Sequence, residues 1–121
     1  MTAQQHDPRS PLTYEAAARF LNHITLEMRK AEAELTAAHV EWADRERDYR
    51  VGQAKAWSTI EGRSALEREA RVKAECADLR RARDIATGRI ASAKAALSRL
   101  DREAASCRFL GAWAQSERGS A

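Results

Sequence analysis

Pro11 is the last proline of the 121-residue chain, and beyond it a seven-residue spacing runs almost unbroken. Counting from Tyr14, one series reads Tyr14, Leu21, Met28, Leu35, Trp42, Tyr49, Ala56. Three residues on, a second reads Ala17, Ile24, Ala31, Ala38, Arg45, Gly52. Apolar residues spaced three and four apart over so many repeats predict a coiled-coil helix rather than an ordinary amphipathic one. A second run follows the same rule: Val72, Cys76, Leu79, Arg83, Ala86, Ile90, Ala93, Leu97, Leu100, Ala104, Cys107, Gly111. The fold class expected is all-α, two long helices in an antiparallel coiled-coil hairpin assembled into a dimer or higher helical bundle.

The stretch STIEGRSALERE, Ser58 to Glu69, divides the two runs. Ser64-x-x-Glu67 has the form of a capping box, in which the serine hydroxyl accepts from the Glu67 N–H and the carboxylate reaches back to the serine N–H. Ser58-x-x-Glu61 has the same form, and Gly62 can adopt the positive φ that ends a helix. One uninterrupted helix would leave these signals without a purpose. The boundaries expected are a disordered tail over 1–10, a helical hairpin over 11–116 (helix 13–57, turn 58–64, helix 65–115) and a disordered tail over 117–121. Ser10-Pro11 and Thr13 both suit the start of the first helix.

Folding the chain near residue 60 aligns the runs where residue numbers add to 121. Tyr49 then meets Val72, Trp42 meets Leu79, Leu35 meets Ala86, Met28 meets Ala93, and Ile24 meets Leu97. Several of these layers pair large with small, as facing core positions do. The same register puts Glu34 near Arg89 and Glu46 near Lys73, and also Asp48 near Glu75.

Chemistry-bearing groupings are missing from the sequence. His6, His23 and His39 are scattered, the last two about 24 Å apart on one helix at 1.5 Å per residue, so no metal ligand set is expected. Cys76 and Cys107 form no CxxC motif and are too far apart on one helix to bridge; they read as small seam residues of a reduced compartment. No Ser/His/Asp grouping or glycine-rich phosphate loop occurs. No enzymatic activity, catalytic residue or cofactor is expected. No apolar stretch has membrane-spanning length and the N-terminus lacks the apolar core of a signal peptide, so no membrane partner and a cytoplasmic location in a bacterial cell are expected.

Two surfaces invite partners. Residues 80–108 carry eight basic and three acidic side chains, within a chain of net charge +3. Arg80, Arg81, Arg89, Lys94, Arg99 and Arg102 are the candidate contacts to nucleic acid, which they would meet through phosphates and without base recognition. Apolar residues off the seam are the second surface. Phe20, Val40, Trp57, Ile85, Phe109, Leu110 and Trp113 are the candidate contacts to an oligomer or protein partner, since a lone two-helix hairpin buries little.

The segment EGRSALEREARVKAECADLRRARDIA resembles small helical-hairpin accessory proteins of tailed bacteriophages, in which a glycine and Ser or Thr precede the start of the second helix. The matching residues here are Gly62, Ser64, Glu67, Arg68, Glu69 and Ala70, and the likeness covers about 60 residues. It implies a phage or prophage origin, in the neighbourhood of DNA replication and recombination functions, and carries no catalytic residue with it. WAQSE, Trp113 to Glu117, is similar to the C-terminal Tyr-x-x-x-Asp/Glu signal of the small secreted Trp-x-Gly hairpins of actinobacteria, with Trp in place of Tyr. The Trp-x-Gly itself is absent, because Trp57 and Gly62 are five residues apart. The functional expectation is a non-enzymatic coiled-coil interaction protein, a phage or prophage accessory factor binding a host or phage protein. The alternatives are a sequence-independent nucleic-acid-associated protein and a secreted hairpin.

Overall fold

A computed structural model describes residues 13–119. Among these the chain is all-helical, with α1 over Tyr14–Thr59, α2 over Ala65–Glu75 and α3 over Ala77–Gly119, and the two long helices α1 and α3 pack together. Among the described residues no helix is long and apolar enough to cross a membrane. The expected 1–10 tail and the Ser10-Pro11 start lie outside the described residues, whereas 117–119, expected in a tail, belong to α3.

Each start has a local cause. The Ala16 N–H donates to Thr13 Oγ1 at 3.1 Å, capping α1. The Glu67 N–H donates to Ser64 Oγ at 3.1 Å, capping α2. The return half of that box is displaced by one residue: Glu67 Oε2 accepts from the Arg63 N–H at 3.1 Å rather than from Ser64. Ser58 caps nothing; its hydroxyl donates back to the Lys55 carbonyl at 2.8 Å inside the last turn of α1. Residues 60–64 form the connection.

Gly62 is needed for a different reason from the one expected. No glycine among the described residues has positive φ. A Cβ on Gly62 would instead lie 2.7 Å from the Arg68 N and 2.9 Å from its Cα. The connection passes so close over the first turn of α2 that only a hydrogen fits.

The expected second helix is interrupted at one residue. Cys76, with φ −95° and ψ 5°, separates α2 from α3. The hydrogen-bond ladder nevertheless carries through, from the Cys76 N–H to the Val72 carbonyl at 3.0 Å and from the Arg80 N–H to the Cys76 carbonyl at 2.9 Å.

The chain divides into two compact units, one of Ala31–Ala96 and one of the residues up to Lys30 and from Leu97. In the first, Ala31, Ala38, Ala56, Val72, Cys76, Ala86 and Ala93 are buried, and Tyr49, Trp57 and Ile60 pack on the Ala56–Val72–Cys76 cluster. In the second, Ala17, Ile24, Leu100 and Ala104 are buried. Every one of the buried residues belongs to the two seven-residue series, so the seam is where the periodicity places it.

The register within Ala31–Ala96 is one heptad away from the expected one. Trp42 does not face Leu79; its indole N–H donates to Thr87 Oγ1 at 3.0 Å. Arg83 reaches Glu46, and Arg89 reaches Glu41 rather than Glu34. Lys73, expected beside Glu46, pairs with Glu69 on its own helix. Residue numbers of these cross-helix pairs add to 129 or 130 instead of 121. A slip of seven leaves the same residues on the seam, and here it brings the Trp42 indole to Thr87, next to the buried Ala86 in sequence.

Candidate interaction surfaces

Arg83 is the polar residue of the second series, and its surroundings explain its tolerance at the seam. Its guanidinium lies 4.6 Å from the Tyr49 ring centroid and 3.4 Å from the Glu46 carboxylate and 3.2 Å from that of Asp84. The aliphatic stem packs while the charged end is paired, the usual solution for arginine at an apolar contact. Burial by itself lowers the Arg83 pKa, but the hydrogen bond and charge of Asp84, and then those of Glu46, lift it above its ordinary value. The Glu46 carboxyl is held below its ordinary range chiefly by the hydrogen bond from Arg50 Nε at 2.7 Å, against a smaller opposing effect of burial, with the charges of Arg50 and Arg83 adding.

A second polar knot sits at the connection. Arg68 Nε donates to the Ile60 carbonyl at 3.0 Å, its other end donates to the Trp57 carbonyl, and its Cζ stands 5.1 Å from the Trp57 ring centroid. The Trp57 carbonyl is among the last of α1 and that of Ile60 lies just beyond its end, where no intrahelical donor remains, so Arg68 satisfies them. Trp57, a candidate partner contact by sequence, is thus half-buried under Arg68 and turned into the local cluster.

The basic candidates do not form one stripe. At 3.6 residues per turn, Arg80, Arg81, Arg89, Lys94, Arg99 and Arg102 spread over about 220° of the α3 circumference. Arg89 is bound to Glu41 at 2.6 Å and Arg99 pairs with Glu103 at 3.8 Å. Among the described residues Arg80, Arg81, Lys94 and Arg102 make no ion pair.

The apolar candidates are distributed otherwise. Val40 and Ile85 are exposed in the Ala31–Ala96 unit, as are Val51 and Leu66. In the other unit Tyr14, Phe20, Leu26, Phe109, Leu110 and Trp113 are exposed. Val51 and Leu66 were missed as candidates; their off-seam position in the heptads was the available signal. Phe20 lines a groove with Ile24, Arg102, Ser106 and Cys107. Both cysteines are free thiols, Cys76 buried and Cys107 half-buried. Among the described residues no cluster of three or more His, Cys, Asp or Glu side chains is placed to hold a metal ion.

Comparison of the chain with protein-family models, with curated proteins and with solved structures finds no match.

Proposed function

We propose that this chain is a non-enzymatic interaction protein, an antiparallel coiled-coil hairpin that presents large apolar side chains to a protein partner. One observation carries the reading. Among the described residues ten large apolar side chains are exposed, while only Ile24, Val72, Cys76 and Leu100 are larger than alanine among the buried ones. Each buried methylene contributes only about 0.8 kcal/mol, against an ordering cost of about 1–2 kcal/mol per backbone residue. A seam built from alanines therefore holds two helices together weakly, and a partner that covers the outer residues adds what the seam lacks. The hairpin direction is supported within Ala31–Ala96 by the pairs Glu46–Arg83, Trp42–Thr87 and Glu41–Arg89, in which the α3 number rises as the α1 number falls. The resemblance around Gly62 and Ser64 supports a phage accessory role, with a host or phage protein as the partner.

The test is affinity capture by the tagged chain from phage-infected cells, with Val40→Glu and Ile85→Glu as controls. A specific protein retained by the wild type and lost from both variants supports the reading; retention that is absent, or unchanged by the substitutions, removes it. Contact with nucleic acid is the second reading, favoured by Arg80, Arg81, Lys94 and Arg102, which make no ion pair among the described residues. It requires binding that weakens steeply with salt through counterion release, and no binding to DNA or RNA in dilute salt would eliminate it.

A further inference from the structure

The C-terminal part of α3 is apolar on two faces. Ala104, Cys107 and Gly111 form the seam, and a Cβ on Gly111 would lie 3.4 Å from that of Ala17. Phe109, Leu110 and Trp113 form a second face: they share an arc of about 100°, centred about 140° away from the seam. Phe109 is 72% exposed and Trp113 53%. A helix apolar on more than one side belongs inside a larger bundle.

Arg102 and Glu117 fall within the same arc, about 22 Å apart along the helix. Both are exposed, and neither has an ion-pair partner among the described residues. The face therefore carries a positive charge at one end, a negative charge at the other and three large apolar residues between. Such an arrangement complements itself when a copy is laid against it in the opposite direction.

We infer that this face is a homodimer interface, docked antiparallel on the same face of a second copy about a two-fold axis passing between Phe109 and Leu110. That axis sets Arg102 against Glu117 of the second copy, and the reverse, as an isologous contact requires. It also sets Trp113 of the second copy opposite Ser106, over the groove that Phe20, Ile24, Ser106 and Cys107 line. The exposed indole and the open groove are thus the two halves of one contact.

The inference deepens the interaction-protein reading by naming a second copy as one partner. Sedimentation equilibrium on the full chain tests it. A dimer is expected, with Arg102→Glu or Glu117→Arg each raising the dissociation constant about tenfold, because symmetry turns two favourable pairs into two repulsive ones. The doubly substituted R102E/E117R chain restores both pairs and should return to within about threefold of the wild type. Trp113→Ala should weaken the dimer more than either single charge change, as loss of a central aromatic anchor does. Circular dichroism should show unchanged helix content in all variants, since none touches the seam. A wild type that stays monomeric at high micromolar concentration overturns the inference. So does a dimer indifferent to both charge changes and to Trp113→Ala, or a double variant as weak as the singles. In those cases capture that depends on Val40 and Ile85 would still support the broader reading.

Discussion

Leu79 occupies the space that the missing side chain of Gly52 leaves open: a Cβ on Gly52 would come within 2.5 Å of Leu79 Cδ1. Gly52 interrupts the first seven-residue series because the opposite helix fills its place. The helix propensity lost to glycine, about 1 kcal/mol relative to alanine, is offset by the packing of a leucine whose end a Cβ at 52 would push aside.

Gly52→Ala gains helix propensity and loses this packing, so its net effect on stability should be small or unfavourable, overpacking costing about 1–3 kcal/mol. In a Leu79→Ala background the same change should stabilise by about 1 kcal/mol. Thermal denaturation of the four chains closes the cycle. Equal effects of Gly52→Ala in both backgrounds would show that the two residues are not in contact.

Gly62→Ala should destabilise by about 1–3 kcal/mol, because the Cβ meets the Arg68 backbone, which cannot swing aside as a side chain end would. Arg68→Met, which keeps the stem but leaves the Trp57 and Ile60 carbonyls without their donor, should cost about 1–3 kcal/mol. Urea unfolding curves measure both, and an unchanged midpoint in either would contradict the close approach described.

Acid should weaken the fold partly through Glu46. Its pKa is depressed in the folded chain, chiefly by the hydrogen bond from Arg50. The stability it contributes is therefore fully present above the pKa of the unfolded carboxyl and fades as pH falls through the lower folded value. Glu46→Gln should lower the melting temperature at neutral pH and leave it unchanged at a pH below the folded value. A difference that persists undiminished into acid would mean that the ionised carboxylate is not what matters.

Disulfide trapping distinguishes the two registers. In a chain with Cys76→Ala and Cys107→Ala, Leu35→Cys with Ala93→Cys should oxidise readily within one chain, since these positions face each other when residue numbers add to about 128. Leu35→Cys with Ala86→Cys, opposed in the alternative register, lies about 10 Å further along at 1.5 Å per residue, beyond the reach of a disulfide. Mass spectrometry after mild oxidation reads the outcome, and bridging of the second pair instead would reverse the register.

The helical character, the seam and the cap at Ser64 were legible because each is local. A seven-residue spacing names the inward face of a helix whatever lies opposite, and all twelve buried residues among those described are members of the two series. A Ser-x-x-Glu string names a helix start from within a single turn. The register was not legible, because a heptad pattern is unchanged by a slip of seven, and pairing large with small favoured two alignments alike. Contacts between residues remote in sequence made that choice: Leu79 in the gap at Gly52, Trp42 on Thr87, Arg83 between Tyr49 and Glu46. The role of Gly62 was hidden for the same reason, since the backbone it admits belongs to Arg68, six residues on and across the connection. Periodicity fixes which way a side chain points, and only the packed neighbour determines what it meets there.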